Sequence, residues 1–193
     1  MLFRSGTGVG GGIILGGGQI LEGENSAGAE VGHIKIEHTQ PRQCGCGRLG
    51  CLEAYASATA VVKRTREALE VNGVVSSLRD AATLIGELTA RHVFDAAAAG
   101  DPLAAKVVED TAFFLAVGAM NLMHVIDPQM VVYGGGMIAA GDGFLERIRY
   151  HVRQLAFPVL AEKTRICYAQ LGSDAGYIGA AACGRALLRR PAG

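Results

Sequence analysis

The chain has no excess of either charge: 18 lysines and arginines balance 18 aspartates and glutamates across 193 residues, and no basic run occurs. A surface built mainly for nucleic acid is excluded on that ground. No apolar run approaches the ~20 residues that a membrane-spanning helix requires. The opening Met1 to Ser5 is too short for a secretory signal, so a cytoplasmic protein is expected. The pattern G-x-x-x-x-G-K-[ST] is missing, which removes the Walker type of nucleotide site. Repeats and linkers are missing too, and the length fits one domain or one lobe of a larger enzyme. Cysteine is sparse at five residues, yet three of them crowd into Cys44 to Cys51, while Cys167 and Cys183 stand alone.

Cys44, Cys46 and Cys51, interleaved with Gly45, Gly47 and Gly50, form a metal knuckle, because glycines let the backbone turn sharply enough for three sulfurs to converge. Thiolates suit structural zinc, which takes four N or S ligands at about 2.0–2.3 Å. A histidine should complete the set, with His33 and His38 as candidates. A disulfide would strand the third thiol. A nucleic-acid knuckle would need basic and aromatic neighbours, and only Arg42 and Arg48 are close. Glu30 and Glu53 flank the knuckle and are poor extra ligands for a site filled by soft groups. They read as hydrogen-bond acceptors, and two carboxylates beside a directed imidazole N–H suit the hydroxyls of a polyol. The remaining histidines, His92, His124 and His151, read as surface or packing residues.

Glycine is abundant, 28 of 193 residues, about twice ordinary usage. Gly6, Thr7, Gly8, Val9, Gly10 and Gly11 satisfy G-x-G-x-x-G, but a dinucleotide fingerprint needs a strand before it and a helix after it. A phosphate-binding turn and a ligand-free hairpin start both remain open there. Ile13 to Leu15 and Gln19 to Leu21 read as a hairpin around Gly16 to Gly18, and Ile34 to Ile36 as a short strand. Helical spacing runs from Glu53 to Val71 and again from about Ala82 to Ala99. Gly100, Asp101 and Pro102 are a stop, an N-cap and a first-turn proline for a helix from Leu103 to about Val125. That helix is apolar on most faces, which fits either a core position or a subunit contact. Met130 to Tyr133 is a buried strand followed by Gly134, Gly135 and Gly136, either a tight turn or a close approach to a nucleotide. A helix capped by Asp142, a strand from Arg165 to Gln170 and a last helix from Ser173 or Asp174 to Leu188 complete an α/β pattern with helices on the faces of a sheet. Gly176 and Gly179 would permit close packing of that last helix.

Glu30-x-Gly32-His33, followed by Cys44-x-Cys46-Gly47-x-x-Gly50-Cys51-x-Glu53, resembles the ROK family of sugar kinases and sugar-responsive repressors at every motif position. The resemblance runs from Gly6, Thr7 and Gly8 to Gly176 and Gly179. It implies the C-terminal lobe of an actin-like, ribonuclease-H-like sugar kinase, with a mixed sheet, flanking helices and a zinc knuckle, over residues 1–193 as one lobe. It implies His33, Cys44, Cys46 and Cys51 as ligands of a structural Zn²⁺, with Glu30, His33 and Glu53 on the sugar. It places Gly6, Thr7, Gly8, Gly134, Gly135 and Gly136 at the nucleotide, ATP with Mg²⁺, and it implies a homodimer or higher homo-oligomer. Partners would be a hexose and a nucleotide, with no nucleic acid and no membrane.

The family's D-x-G-G-T phosphate motif and N-D-x-N catalytic aspartate are not in the sequence, and Met1 to Ser5 is a poor match for the hydrophobic strand expected ahead of the glycine turn. Asp127, Asp142 and Asp174 look like helix ends and caps, so no catalytic base is assigned here and one is expected in an N-terminal lobe. The leading expectation is an ATP-dependent glucokinase-type activity of the parent protein. The sugar-sensing half of a repressor is the alternative, and a plain zinc-stapled interaction domain is a third. The isolated chain should show little or no glucose- and ATP-dependent turnover in a coupled assay, and substantial turnover would overturn this division of labour between two lobes.

Overall fold

The computed structural model describes residues 1–79 and 88–188. Four short strands, β1 (Leu2–Ser5), β2 (Val9–Gly12), β3 (Met130–Gly135) and β4 (Arg165–Tyr168), form one mixed sheet in the order β2-β1-β3-β4. β1 runs antiparallel to β2 and parallel to β3, and β3 runs parallel to β4. Alternation decides which face is covered: Phe3, Ser5, Val131, Tyr133 and Ile166 are buried, whereas Leu2, Arg4 and Arg165 are exposed. Phe3 stacks on Tyr133 with ring centroids 5.2 Å apart, and the Tyr133 hydroxyl donates to the Leu115 carbonyl at 3.1 Å.

That carbonyl belongs to the longest helix, α4 (Pro102–Ile126), which follows α1 (Glu53–Ala56), α2 (Ala58–Glu70) and α3 (Ala90–Ala98). It precedes α5 (Gly141–Leu155), α6 (Pro158–Lys163) and α7 (Ala175–Leu188). α4 packs against α1, α2, α3 and α5. Of the two positions open to it from sequence, the core is where it lies, with Ala112, Leu115, Ala116, Ala119 and Met123 fully buried. Its ends are as expected. Asp101 is the N-cap, accepting from Ala104 N–H at 2.9 Å, Pro102 fills the first turn, and Asp127 ends the helix in the left-handed conformation before Pro128.

Several sequence expectations are corrected. Met1 to Ser5, a poor match for the hydrophobic strand expected ahead of the glycine turn, nevertheless contains an interior strand there. Four residues suffice because β2 and β3 satisfy its backbone from both sides. The hairpin at Ile13 to Leu15 and Gln19 to Leu21 does form, around a 3-10 turn at Gly16–Gly18, but it is short: one antiparallel bridge, Ile14–Ile20, with Leu15 N–H donating to Gln19 C=O at 2.8 Å and Leu21 N–H to Ile13 C=O at 2.9 Å. Val9–Gly12 pairs back on β1. Ile34 to Ile36 likewise keeps one bridge, Lys35–Cys51. The helix expected from Glu53 is broken at Ser57, whose extended backbone and hydroxyl, accepting from Ala60 N–H at 3.1 Å, begin α2 afresh; serine competes with the helix in this way. Asp142 lies inside the first turn of α5 and does not cap it, and α7 starts at Ala175 after a 3-10 turn, Gly172–Asp174. A Cβ at Gly176 or Gly179 would meet nothing within 4 Å, so close packing does not explain them. The helical region from Ala82 is observed over Ala90–Ala98, with residues 82–87 lying outside the described residues.

Asp101 also ties the segment before α3 to α4, accepting from Ser76 Oγ at 2.8 Å, Ser77 N–H at 2.6 Å and Ser77 Oγ at 2.8 Å. Burial alone would raise its carboxyl, but these donors and Ala104 N–H hold it below the usual carboxylate range. The ionised form therefore stabilises the fold above the unfolded value of ~3.9, and that contribution is lost as pH falls through the lower folded value. Asp101→Ala should lower stability by ~1–2 kcal/mol at neutral pH, read by thermal melting, with the gap to wild type narrowing in acid.

Candidate functional site

The knuckle is a tight backbone turn. Cys44 N–H donates to Arg48 C=O at 2.8 Å, and Gly47 N–H to Cys44 C=O at 3.0 Å. Gly50 adopts φ +76°, and a Cβ there would fall 2.1 Å from the Glu37 carbonyl oxygen, so only glycine fits. Two ties hold the turn to the helices: Arg42 N–H donates to Tyr55 Oη at 2.8 Å, and the Arg42 guanidinium grips the Glu67 carboxylate of α2 through both nitrogens. Leu52, next after the last cysteine, is fully buried. It occupies a notch in α4 where a Cβ on Gly118 would stand 2.6 Å from Leu52 Cδ2.

His33 arrives on a separate 3-10 turn, Val31–His33, pressed so closely on β2 that a Cβ at Gly32 would lie 1.9 Å from the Val9 carbonyl oxygen. One donor atom from each of His33, Cys44, Cys46 and Cys51 lies within 4.8 Å of the others. A tetrahedron with 2.3 Å arms has edges of about 3.8 Å, and both Cys44 Sγ–His33 Nδ1 and Cys46 Sγ–Cys51 Sγ measure 3.8 Å. The donor set and spacing thus fit a four-coordinate metal ion. Burial pushes the Cys44 thiol up to about 12, whereas the Arg48 N–H lowers exposed Cys46. Binding a metal requires Cys44 to lose its proton. His38 is exposed and outside the cluster. The other histidines are structural: His92 completes a capping box with Thr89, His124 accepts from Phe157 N–H at 3.2 Å, and His151 meets Glu109 at 2.7 Å.

The acids converge on the same spot. Glu53 opens α1, its Oε2 accepting from Val9 N–H at 3.0 Å and its Oε1 lying 3.4 Å from Cys44 Sγ. Glu30 Oε2 is 3.8 Å from His33 Nε2, so the two imidazole nitrogens divide between the sulfur cluster and this carboxylate. A Cβ on Gly8 would come within 2.4 Å of Glu53 Oε2. The glycine therefore leaves room for the carboxylate in its present position, a reason the motif alone did not reveal.

A cleft of ≈ 530 Å³ opens at the carboxyl ends of β1 and β3, walled by Ser5, Gly6, Thr89, Phe94, Gly136 and Ala139 among others. This is where α/β sheets place ligands. Of the six glycine-loop residues singled out by sequence, Gly6 and Gly136 line it. Gly134 lies inside β3, and Gly135, at φ +79°, lets β3 lie against β1, where a Cβ would meet the Ser5 carbonyl oxygen at 2.5 Å. Thr7 is exposed, and its carbonyl accepts from Thr59 Oγ1 at 2.9 Å. Gly6 N–H already donates to Gly8 C=O at 2.9 Å, so this amide of the turn is committed within it. Sequence missed Thr89, Phe94 and Ala139 because nothing in their local pattern distinguishes them. It also missed Lys35, whose ammonium is 2.9 Å from Cys51 Sγ. The alternation of Ile34, Lys35 and Ile36 could have flagged that residue.

A model of the ROK family matches residues 1–186. A glucokinase of Halalkalibacterium halodurans is 40% identical over 183 residues, covering 93% of this chain and 54% of that protein. A putative xylose repressor of a Caldicellulosiruptor species is 30% identical, covering 92% of this chain and 43% of its own length. Among solved structures, a ROK family glucokinase from Streptomyces griseus in complex with glucose and AMPPNP superposes with a TM-score of 0.79 at 32% identity, over 95% of this chain and 59% of that one. The chain spans about half the length of the curated relatives it matches. No helix among the described residues is long and apolar enough to cross a membrane. Elemental analysis of folded protein should give one metal ion per chain, and Cys46→Ser or Cys51→Ser should lower that ratio. Metal-free, folded wild type would remove the cluster from the site.

Proposed function

The chain belongs to the ROK family, and from that premise we propose that it is the C-terminal lobe of an ATP-dependent, glucokinase-type hexose kinase, transferring the γ-phosphoryl group to the sugar 6-hydroxyl. The mixed sheet with flanking helices is that of ROK sugar kinases. Glu30, His33 and Glu53 hold the hexose, the cleft holds the nucleotide, and Zn²⁺ on His33, Cys44, Cys46 and Cys51 staples the sugar side. The observation that carries this reading is the position of the Gly6–Gly8 turn, which lines the cleft with its first glycine and touches Glu53 with its last. Three residues reach no further than about 7 Å between end Cα atoms, so a sugar on Glu53 and a phosphate chain in the cleft would be neighbours.

Each sugar-side group has a defined task. Val9 N–H occupies Glu53 Oε2, leaving Oε1 to accept a hydrogen bond from a sugar hydroxyl once a metal takes the Cys44 thiol. His33 turns Nδ1 to the sulfurs, so Nε2 is the nitrogen available to a second hydroxyl. A ligand on one ring nitrogen fixes the orientation of the other. Mg²⁺, when bound with ATP, neutralises charge on the phosphates. The base that takes the hydroxyl proton is assigned to the N-terminal lobe: Asp127, Asp142 and Asp174 do not line the cleft, and Asp95, which does, is spent on Arg91 at 3.6 Å.

The similarity to a putative repressor keeps a sugar-sensing role as the second reading; that role keeps the hexose site but has no use for the nucleotide cleft. Joined to its upstream half, the protein should phosphorylate glucose in an ATP-dependent manner, and sugar binding without turnover would favour the sensor. In calorimetry, Glu53→Gln should weaken hexose binding by about 10- to 100-fold, since a hydrogen bond to a charged group contributes ~1.5–3 kcal/mol. Gly8→Ala should act in the same direction by displacing Glu53. Equal affinities for wild type and both variants would dismiss the carbohydrate assignment.

A further inference from the structure

Lys35 belongs to none of the roles described so far. Ile34 and Ile36 pack against the core while Lys35 between them faces outward, as alternation along an extended segment dictates. The Lys35–Cys51 bridge is flanked by two backbone hydrogen bonds, Ile36 N–H to Gly50 C=O at 2.9 Å and Leu52 N–H to Ile34 C=O at 3.0 Å. These bonds fix Lys35 beside the last cysteine, and its ammonium reaches Cys51 Sγ at 2.9 Å. Among the described residues it is the cation that hydrogen-bonds a sulfur of the cluster, and no carboxylate pairs with it there.

Charge explains why a cation belongs there. Three thiolates and a neutral imidazole on Zn²⁺ leave one net negative charge. Glu53 and Glu30 add carboxylates 3.4 Å from Cys44 Sγ and 3.8 Å from His33 Nε2. Each like charge placed close by repels the thiolates and raises the energy of the loaded cluster. A charge-assisted N–H donor on sulfur offsets that repulsion and adds a hydrogen bond to the outer shell of the cluster.

We propose that Lys35 is a positioning residue of the metal cluster, whose ammonium, hydrogen-bonded to Cys51 Sγ, offsets the negative charge that three thiolates and two acids place around Zn²⁺ and slows loss of the ion. The proposal rests on the zinc reading given above. It concerns retention of the metal and makes Lys35 neither a ligand nor a group that touches the sugar.

The test compares zinc-loaded wild type with Lys35→Met, Lys35→Arg and Arg48→Met; Arg48 is a neighbouring cation that meets Cys46 through its backbone N–H, and its guanidinium makes no hydrogen bond to a sulfur among the described residues. After far-UV circular dichroism has verified the fold, transfer of zinc to an excess of a chromogenic chelator is timed. Lys35→Met should lose zinc about 10-fold faster, the lower end of what outer-shell substitutions cost. Lys35→Arg should stay near wild type, and Arg48→Met should not accelerate transfer. In the Co²⁺-substituted proteins, the sulfur-to-cobalt charge-transfer band should move to lower energy in Lys35→Met alone, a shift that a merely structural role would not produce. Unchanged transfer and an unshifted band in Lys35→Met overturn the proposal while leaving the zinc site intact. Equal acceleration by Arg48→Met also overturns it, because general charge would then explain the effect. A folded wild type without stoichiometric zinc overturns the metal reading first and this proposal with it.

Discussion

The seating of Leu52 in the Gly118 notch of α4 is the constraint on which the site depends. Residues on either side of that leucine belong to the candidate site: Cys51 ends the sulfur cluster and Glu53 begins α1. Fully burying a leucine contributes ~1.5–3 kcal/mol, and here that energy fixes both neighbours relative to the core. Helix α4 in turn is held by Asp101 at one end and by Tyr133 at its middle. The knuckle is thus a peripheral loop with a core anchor, which is why Glu53 can be set within a hydrogen bond of β2.

Close backbone approach is the second theme. Gly8, Gly32 and Gly50 each occupy a point where a Cβ would strike an atom at 2.4 Å or less. Each removes a side chain so that two segments can touch: β1–β2 turn to Glu53, His33 turn to β2, knuckle to the segment at Glu37. Interiors pack too densely to absorb an added methyl at such points. The same logic explains Gly135, whose missing side chain lets β1 and β3 run together to the edge of the cleft. Glu53 and the cleft thereby share one short turn, and that proximity supports the phosphoryl transfer proposed above.

Electrostatics around the cluster is one-sided. Thiols and carboxylates crowd a small volume, and the buried Cys44 resists ionisation without a metal. The proposed divalent ion would supply opposite charge there, and the Lys35 ammonium adds to it at Cys51 Sγ. Arg42 serves a different purpose, since its guanidinium is committed to Glu67 and so binds the knuckle to α2. Arg64, two turns along α2 from α1, is likewise structural. Buried, with its pKa lowered to about 10 by desolvation, it donates to the carbonyls of Tyr55 and Val107 and to Thr111.

Local chemistry was legible in the chain itself. The cysteine–glycine spacing, the E-x-G-H acid and histidine, the Gly100–Asp101–Pro102 start of α4 and its Asp127 end each depend on neighbours a few residues away, and each stands where the sequence indicated. Tertiary structure alone decided the rest. It made a central strand of Leu2–Ser5 by flanking it with two partners, and of the six glycine-loop residues it set Gly6 and Gly136 on the cleft wall. It also brought Lys35 to Cys51. Such outcomes turn on which distant segments touch, and a linear pattern carries the capacity of a residue but not the identity of the neighbour that will use it.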